Sequence, residues 1–233
     1  MSAPAFRSAL IVGVGPGFSA SLARRFAAAG IKLALASRNP DKLASLATET
    51  KASLHGCDVA DADSVARLFA AVEAGQPPPD LVVFNPSARV RGPIAELDPA
   101  AVAQALAVSA LGGFHVGQQA ARRMLANRGG AILFTGATAS VKGFALSASF
   151  AMGKFALRGL AQSMARELGP KGIHVLHLVI DGGIRSAARP VPAEAPDSLL
   201  DPDAIAETAW HALHQHRSAW SHEIEVRPWT EKF

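Results

Sequence analysis

The sequence predicts a doubly wound α/β fold, a mostly parallel sheet of about seven strands with helices on both faces. Three observations predict it. Short apolar runs alternate with longer helix-like segments along the chain. A glycine-rich turn, Gly13-Val14-Gly15-Pro16-Gly17, joins the first apolar run to the first helical segment. Hydrophobic residues make up 49% of the chain, enough to fill a parallel sheet buried on both sides. With no internal repeat beyond this alternation, residues 1–233 read as one domain with a variable loop around 185–202.

The elements follow in order. Residues 8–14 read as the first strand and Ala/Arg-rich 20–29 as the first helix, stopped by Gly30. Strand 31–37 leads to helix 40–49, with Asn39 as N-cap and Pro40 at N1. Residues 53–57 read as a third strand, 62–74 as a helix, 75–79 as a Pro-rich turn and 81–84 as a fourth strand. One long helix is expected over 99–126, closed by Arg128-Gly129-Gly130, before strand 131–135. Helix 149–168 ends before Gly169-Pro170, and strand 174–180 follows. Pro- and Ala-rich 185–202 reads as a mobile loop, 203–214 as a helix and 223–226 as a last strand.

Composition excludes several classes. The single Cys57 forms no intramolecular disulfide; it reads as a small buried hydrophobe in a reducing compartment. The N-terminus shows no basic region followed by a long apolar core, so no signal peptide is expected. No run of about 18 apolar residues appears, so no membrane span is expected, and the expected location is cytoplasmic. The net charge is +4, with arginines spread along the chain. Arg24-Arg25 and Arg122-Arg123 read as solvated helix faces rather than a nucleic-acid patch. His211 and His214 share a helix face, but no Cys or carboxylate pattern completes a metal site, and none is expected. The chain contains no tyrosine.

The glycine turn sits where a dinucleotide-binding loop belongs, after a strand and opening a helix. There the backbone approaches pyrophosphate closely and the helix N-terminus favours the anion. In these residues the chain resembles the short-chain dehydrogenase/reductase family, a Rossmann-type fold. Gly13 and Gly17 match the family's first two glycines, Phe18 follows them, and Ser19 stands at the third, as in the divergent enoyl reductases. Ser19 either bonds phosphate or caps the helix.

The resemblance covers nearly the whole chain and implies a set of cofactor contacts. Ser37-Arg38, after the second strand, offers a hydroxyl and a cation where NAD-preferring members often carry an acid. Both suit a 2′-phosphate, so NADP(H) is expected over NAD(H). Asp58-Val59 resembles the adenine-contacting pair, although Asp58 also reads as a plain turn residue. Phe84-Asn85-Pro86-Ser87 occupies the place of the family's Asn-Asn-Ala-Gly motif; Asn85 is kept, while Pro86 and Ser87 replace its small pair. Asp181 replaces a customary proline, Ile184 matches the carboxamide-binding residue, and Ser186 stands where a phosphate-contacting threonine is common.

For catalysis the resemblance implies a tyrosine acid, a lysine four residues later, a carbonyl-polarising serine and an asparagine on the preceding long helix. Lys154 is the lysine; the other three positions hold Phe150, Ala137 and Ser109. General acid catalysis is worth ~10²- to 10⁴-fold, so ordinary carbonyl reduction is expected to be slow. Ser147, Thr138 and Ser149 are the candidate substitute hydroxyls, besides water. Three functions stay open: an NADP(H)-binding oxidoreductase with a non-standard acid acting on an unknown small molecule, a weakly catalytic cofactor-binding sensor, and an oligomeric scaffold subunit. The family resemblance also implies a homo-oligomer, dimer or tetramer, paired through the long helices.

Overall fold

The computed structural model describes residues 6–127 and 129–231; Arg128, expected to help close the long helix, lies outside them. The strands are β1 (Ser8–Val12), β2 (Lys32–Ser37), β3 (Ser53–Gly56), β4 (Leu81–Phe84), β5 (Gly130–Thr135), β6 (Ile173–Ile180) and β7 (Glu223–Val226). The helices are α1 (Phe18–Ala28), α2 (Ala44–Thr50), α3 (Ala62–Gly75), α4 (Pro99–Leu106), α5 (Gly112–Ala126), α6 (Ala148–Leu168) and α7 (Pro202–Leu213). The strands form one seven-stranded sheet, in the order β3-β2-β1-β4-β5-β6-β7. Every neighbouring pair is parallel, as the alternation of strands and helices predicts.

Every residue of β1, β4 and β6 is buried, which is why these strands read as mostly apolar runs, with only Ser8, His174 and His177 polar. Their side chains alternate between the two faces. Ala9 and Ile11 join the cluster containing α1, α2 and α7, whereas Leu10 and Val12 join the cluster containing α3, α5 and α6. Edge strand β3 is only partly buried.

Local chemistry sets the ends of the helices. Asp61, Asp98 and Asp201 each accept first-turn N–H bonds as N-caps of α3, α4 and α7. Pro99 and Pro202 follow two of these caps, where a missing N–H costs nothing.

Three expectations are corrected. β1 ends at Val12 because Gly13, at φ +80°, turns the chain. The helix expected over 40–49 is a 3₁₀ turn, Pro40–Leu43, followed by α2, and the Asn39 side chain makes no capping bond. The helix expected over 99–126 carries a π turn, Ala107–Leu111, between α4 and α5. The continuous helical stretch Pro99–Ala126 is 28 residues long with mean hydropathy 1.4 over its most apolar window, a length and composition that the core helix of a soluble domain also reaches. Ser109, Gly112, Gly113 and His115 interrupt its apolar run. In the fold, α5 packs Val116, Ala120 and Met124 into the core.

Residues 185–201 form turns without a regular helix, pinned to the body at several points. Gly183 and Leu200 are hydrogen-bonded, Arg185 pairs with Asp201 at 2.6 Å, and Trp229 Nε1 donates to Asp197 at 3.0 Å.

Candidate active site

The strand order reverses between β1 and β4, and the crevice beyond their carboxyl ends is where an open α/β sheet binds ligands. Asn85 Nδ2 donates to Gly13 O at 2.9 Å and locks the two strand ends together. A Cβ on Gly13 would lie 2.6 Å from Pro86 N, so glycine is required there for space as well as for its positive φ. A Cβ on Gly15 or Gly17 would meet nothing within 4 Å. The loop therefore leaves open space before the α1 N-terminus, whose N-cap, Gly17, brings no side-chain acceptor. Ser19 staples the loop: Gly15 N donates to its Oγ at 2.9 Å, and Oγ lies 3.2 Å from Gly15 O.

Two cavities, of about 790 and 740 Å³, open from this crevice and share Gly13, Gly15, Asn85 and Ser87. The first runs over β2 and β3 and is lined by Ser37, Arg38, Asp58 and Val59. Ser37 Oγ is buried without a hydrogen-bond partner. Among the described residues neither Arg38 nor Lys42, which also lines this cavity, pairs with a carboxylate. Lys42 was missed in the sequence; its spacing of four from Arg38 was the available signal. Asp58 Oδ1 accepts from Ala60 N at 3.0 Å in a local turn. Val59 O bonds His115 Nδ1 at 3.0 Å.

The second cavity is lined by Phe18, Ala137, Thr138, Ser147, Phe150, Lys154 and Ile184. Lys154 is only 2% exposed, and its Nζ donates to Thr135 O at 2.7 Å. Burial lowers its pKa to about 8. Thr135 Oγ1 is also buried and unpartnered. Ser147, the N-cap of α6, makes no capping bond and keeps its hydroxyl available.

The short chain dehydrogenase family model matches residues 7–190. The chain belongs to the short-chain dehydrogenase/reductase family. It is 32% identical over 175 residues to the 3-oxoacyl-(acyl-carrier-protein) reductase MabA of Mycobacterium avium, a match covering 73% of this chain. The chain thus spans 65% of the length of that relative. It is 31% identical over 198 residues to the cyclic-di-GMP-binding biofilm dispersal mediator protein of Escherichia coli, covering 83% of this chain and 79% of that protein. A solved short-chain dehydrogenase from Rhodopseudomonas palustris superposes with a TM-score of 0.84 at 36% identity, covering 96% of this chain and 99% of that one.

Within this family frame, three residues proposed from the sequence stand outside the cavities. Ser149 is 1% exposed and its hydroxyl both accepts from Val90 N and donates to Val90 O, each at 2.9 Å. That engagement corrects the reading of Ser149 as a substitute acid. Ser109, on the π turn, is likewise 1% exposed, and its Oγ accepts from Ala88 N at 3.0 Å. Ser186 Oγ accepts from Arg189 N at 3.1 Å within its own turn. Asp181, buried, pairs with Arg227 at 3.1 Å. His211 and His214 part ways: His214 packs against Trp210 and Phe6, while His211 lies 3.9 Å from Glu207. Arg24, Arg25 and Arg123 each hold a carboxylate, from Glu49, Glu207 and Glu73.

The cavity also brings in three arginines that sequence reading passed over: Arg89, Arg91 and Arg189. The available signal was the Arg-Val-Arg alternation four residues beyond Asn85.

Proposed function

We propose that the chain is an NADP(H)-dependent oxidoreductase acting on a small molecule without the family's tyrosine acid. The observation that carries this reading is the buried, unpartnered Ser37 Oγ beside the carboxylate-free cations Arg38 and Lys42. A hydroxyl and two cations at the end of β2 match a ribose 2′-phosphate, and β2 itself ends on Ser37, followed by Arg38 rather than by an acid that would hold a free 2′-hydroxyl. The open cradle at Gly15 and Gly17 suits pyrophosphate, and Lys154 and Ile184 suit the nicotinamide ribose and carboxamide. When bound, this cofactor would supply hydride chemistry. Of the substitute hydroxyls expected from the sequence, Thr138 and Ser147 line the cavity and are placed to donate a proton or a hydrogen bond, with Phe150, Ala137 and Ser109 giving none of the family's acid chemistry. We infer further that the whole chain works as one Rossmann-type unit and pairs with copies of itself.

Titration of the purified protein with NADPH and NADH tests the reading. NADPH is expected to bind in the micromolar range, about −8 kcal/mol, and more tightly than NADH. Arg38→Asp should weaken NADPH by about 10- to 100-fold and change NADH far less. Equal losses for both nucleotides would remove the 2′-phosphate role, and no binding of either would overturn the proposal.

A further inference from the structure

The loop after β4 carries Arg89 into the second cavity, and its backbone is fixed on both sides of that residue. Ala88 N donates to Ser109 Oγ at 3.0 Å, and Ala88 O lies 3.5 Å from the same hydroxyl. Val90 exchanges both its N–H and its carbonyl with Ser149 Oγ at 2.9 Å. Two residues on, Gly92 N donates to Leu146 O at 3.2 Å. Arg89 therefore stands between two residues, each held by one buried serine. Its guanidinium carbon lies 4.0 Å from the centroid of the Phe150 ring, a cation–π arrangement that turns one face of the planar group onto the arene and leaves its N–H edges free. Two of the positions where the resemblance expects tyrosine and asparagine, Phe150 and Ser109, are thus engaged in holding Arg89.

Charge points the same way. Arg91, Arg189 and Lys154 line the cavity with Arg89, and no Asp or Glu lines it. Elsewhere arginines find carboxylates: Arg24 with Glu49, Arg158 with Glu223, Arg185 with Asp201. Among the described residues Arg89, Arg91 and Arg189 have no such partner. A concave, cationic, acid-free site concentrates anions, and a preoriented guanidinium fork matches a planar carboxylate in two parallel hydrogen bonds.

We infer that the substrate of this cleft is a small carboxylate, read by Arg89 on its Phe150 platform with Arg91 beside it. The inference rests on the oxidoreductase reading only for the word substrate; the carboxylate site itself is a binding property.

Calorimetric titration tests it with a panel of short- and medium-chain carboxylates, levulinate among them, and their methyl esters. Each is titrated into the NADPH-saturated protein and into the protein alone. At least one carboxylate should bind about tenfold or more tightly than its own ester. Arg89→Gln should remove that preference, Arg89→Lys should keep only part of it, and NADPH affinity should stay within about twofold in both. Phe150→Leu, which removes the platform, should weaken the same carboxylate about three- to tenfold. No carboxylate preferred over its ester, inorganic phosphate bound in place of every carboxylate, or NADPH lost along with Arg89 would each overturn the inference. Failure of the wild-type protein to bind NADPH would instead strike the proposed function, and the titrations into the protein alone would still decide the carboxylate site.

Discussion

Lys154 shows how much a single residue sets function against fold. Its ammonium group is buried on the Thr135 carbonyl, and burial lowers its pKa to about 8 from an ordinary 10.5. Below about pH 8 the folded chain carries the full cost of that charge. Between pH 8 and 10.5 the unfolded chain binds the proton more readily, so the stability of the fold rises with pH across this window. The cost at neutral pH is about 3 kcal/mol at most, and the bond to Thr135 is lost with the lysine. Lys154→Met is therefore expected to be about 1–3 kcal/mol more stable than the parent at pH 7. Its advantage should shrink from pH 8 to 10.5, and its NADPH binding should be weaker; urea melts across pH and a nucleotide titration read both. A variant no more stable at pH 7 would show that the buried charge is compensated. At this scale the sequence was legible where a motif is local: Gly13, Gly17, Arg38 and Lys154 all line the crevice. It was silent where a role depends on pairing across the fold. Ser149 looked like a free hydroxyl, and only its approach to Val90, 59 residues away, consumes it. For Arg89 the local Arg-Val-Arg alternation gave no role, because its setting is assembled from Ser109, Ser149 and Phe150 on other elements.

At the scale of elements, the central strands β1, β4, β5 and β6 were readable because burial on both faces leaves them mostly apolar, while helix interruptions were not. The π turn at Ala107–Leu111 inserts into a helix whose composition stays helical, so nothing in local propensity announces it. Yet this turn carries Ser109, which holds the Arg89 loop. The β1–α1 connection separates two demands on glycine. At Gly13 the demand is on the fold, since φ is +80° and an added Cβ would strike Pro86 N at 2.6 Å. Gly13→Ala should cost about 2–4 kcal/mol in denaturant unfolding. At Gly17 an added Cβ meets nothing, and φ is −100°. Gly17→Ala should cost less stability than Gly13→Ala and weaken NADPH about tenfold, because the methyl group enters the phosphate cradle. A larger stability loss at Gly17 than at Gly13, or unchanged nucleotide affinity at Gly17, would reverse this division of labour.

Across the whole molecule, the helices of the two layers are not equally covered. The layer of α1, α2 and α7 closes on the sheet around Phe26, Ile205 and Leu213. The other layer buries Val116, Met124 and Leu157 inward but presents Leu111 (55% exposed), Phe114 (45%), Met152 (50%) and Phe155 (45%) outward along the π turn, α5 and α6. The run from Pro99 to Ala126 is apolar by composition, yet only 33% of its most apolar window is buried. Exposed apolar surface on that scale is costly in water, at about 25 cal/mol per Å². A second copy offers the same face, and a two-fold pairing of α5 and α6 with their counterparts covers both at once. The protein is therefore expected to run as a dimer or larger by light scattering at micromolar concentration. Phe114→Glu combined with Leu111→Glu places charges where the partner's apolar side chains would sit, and should weaken association by about 100-fold or more. Both positions lie outside the two cavities, so the monomer produced should still bind NADPH. A parent protein that is monomeric, or a double variant that still associates, would mean that another surface or partner covers this layer.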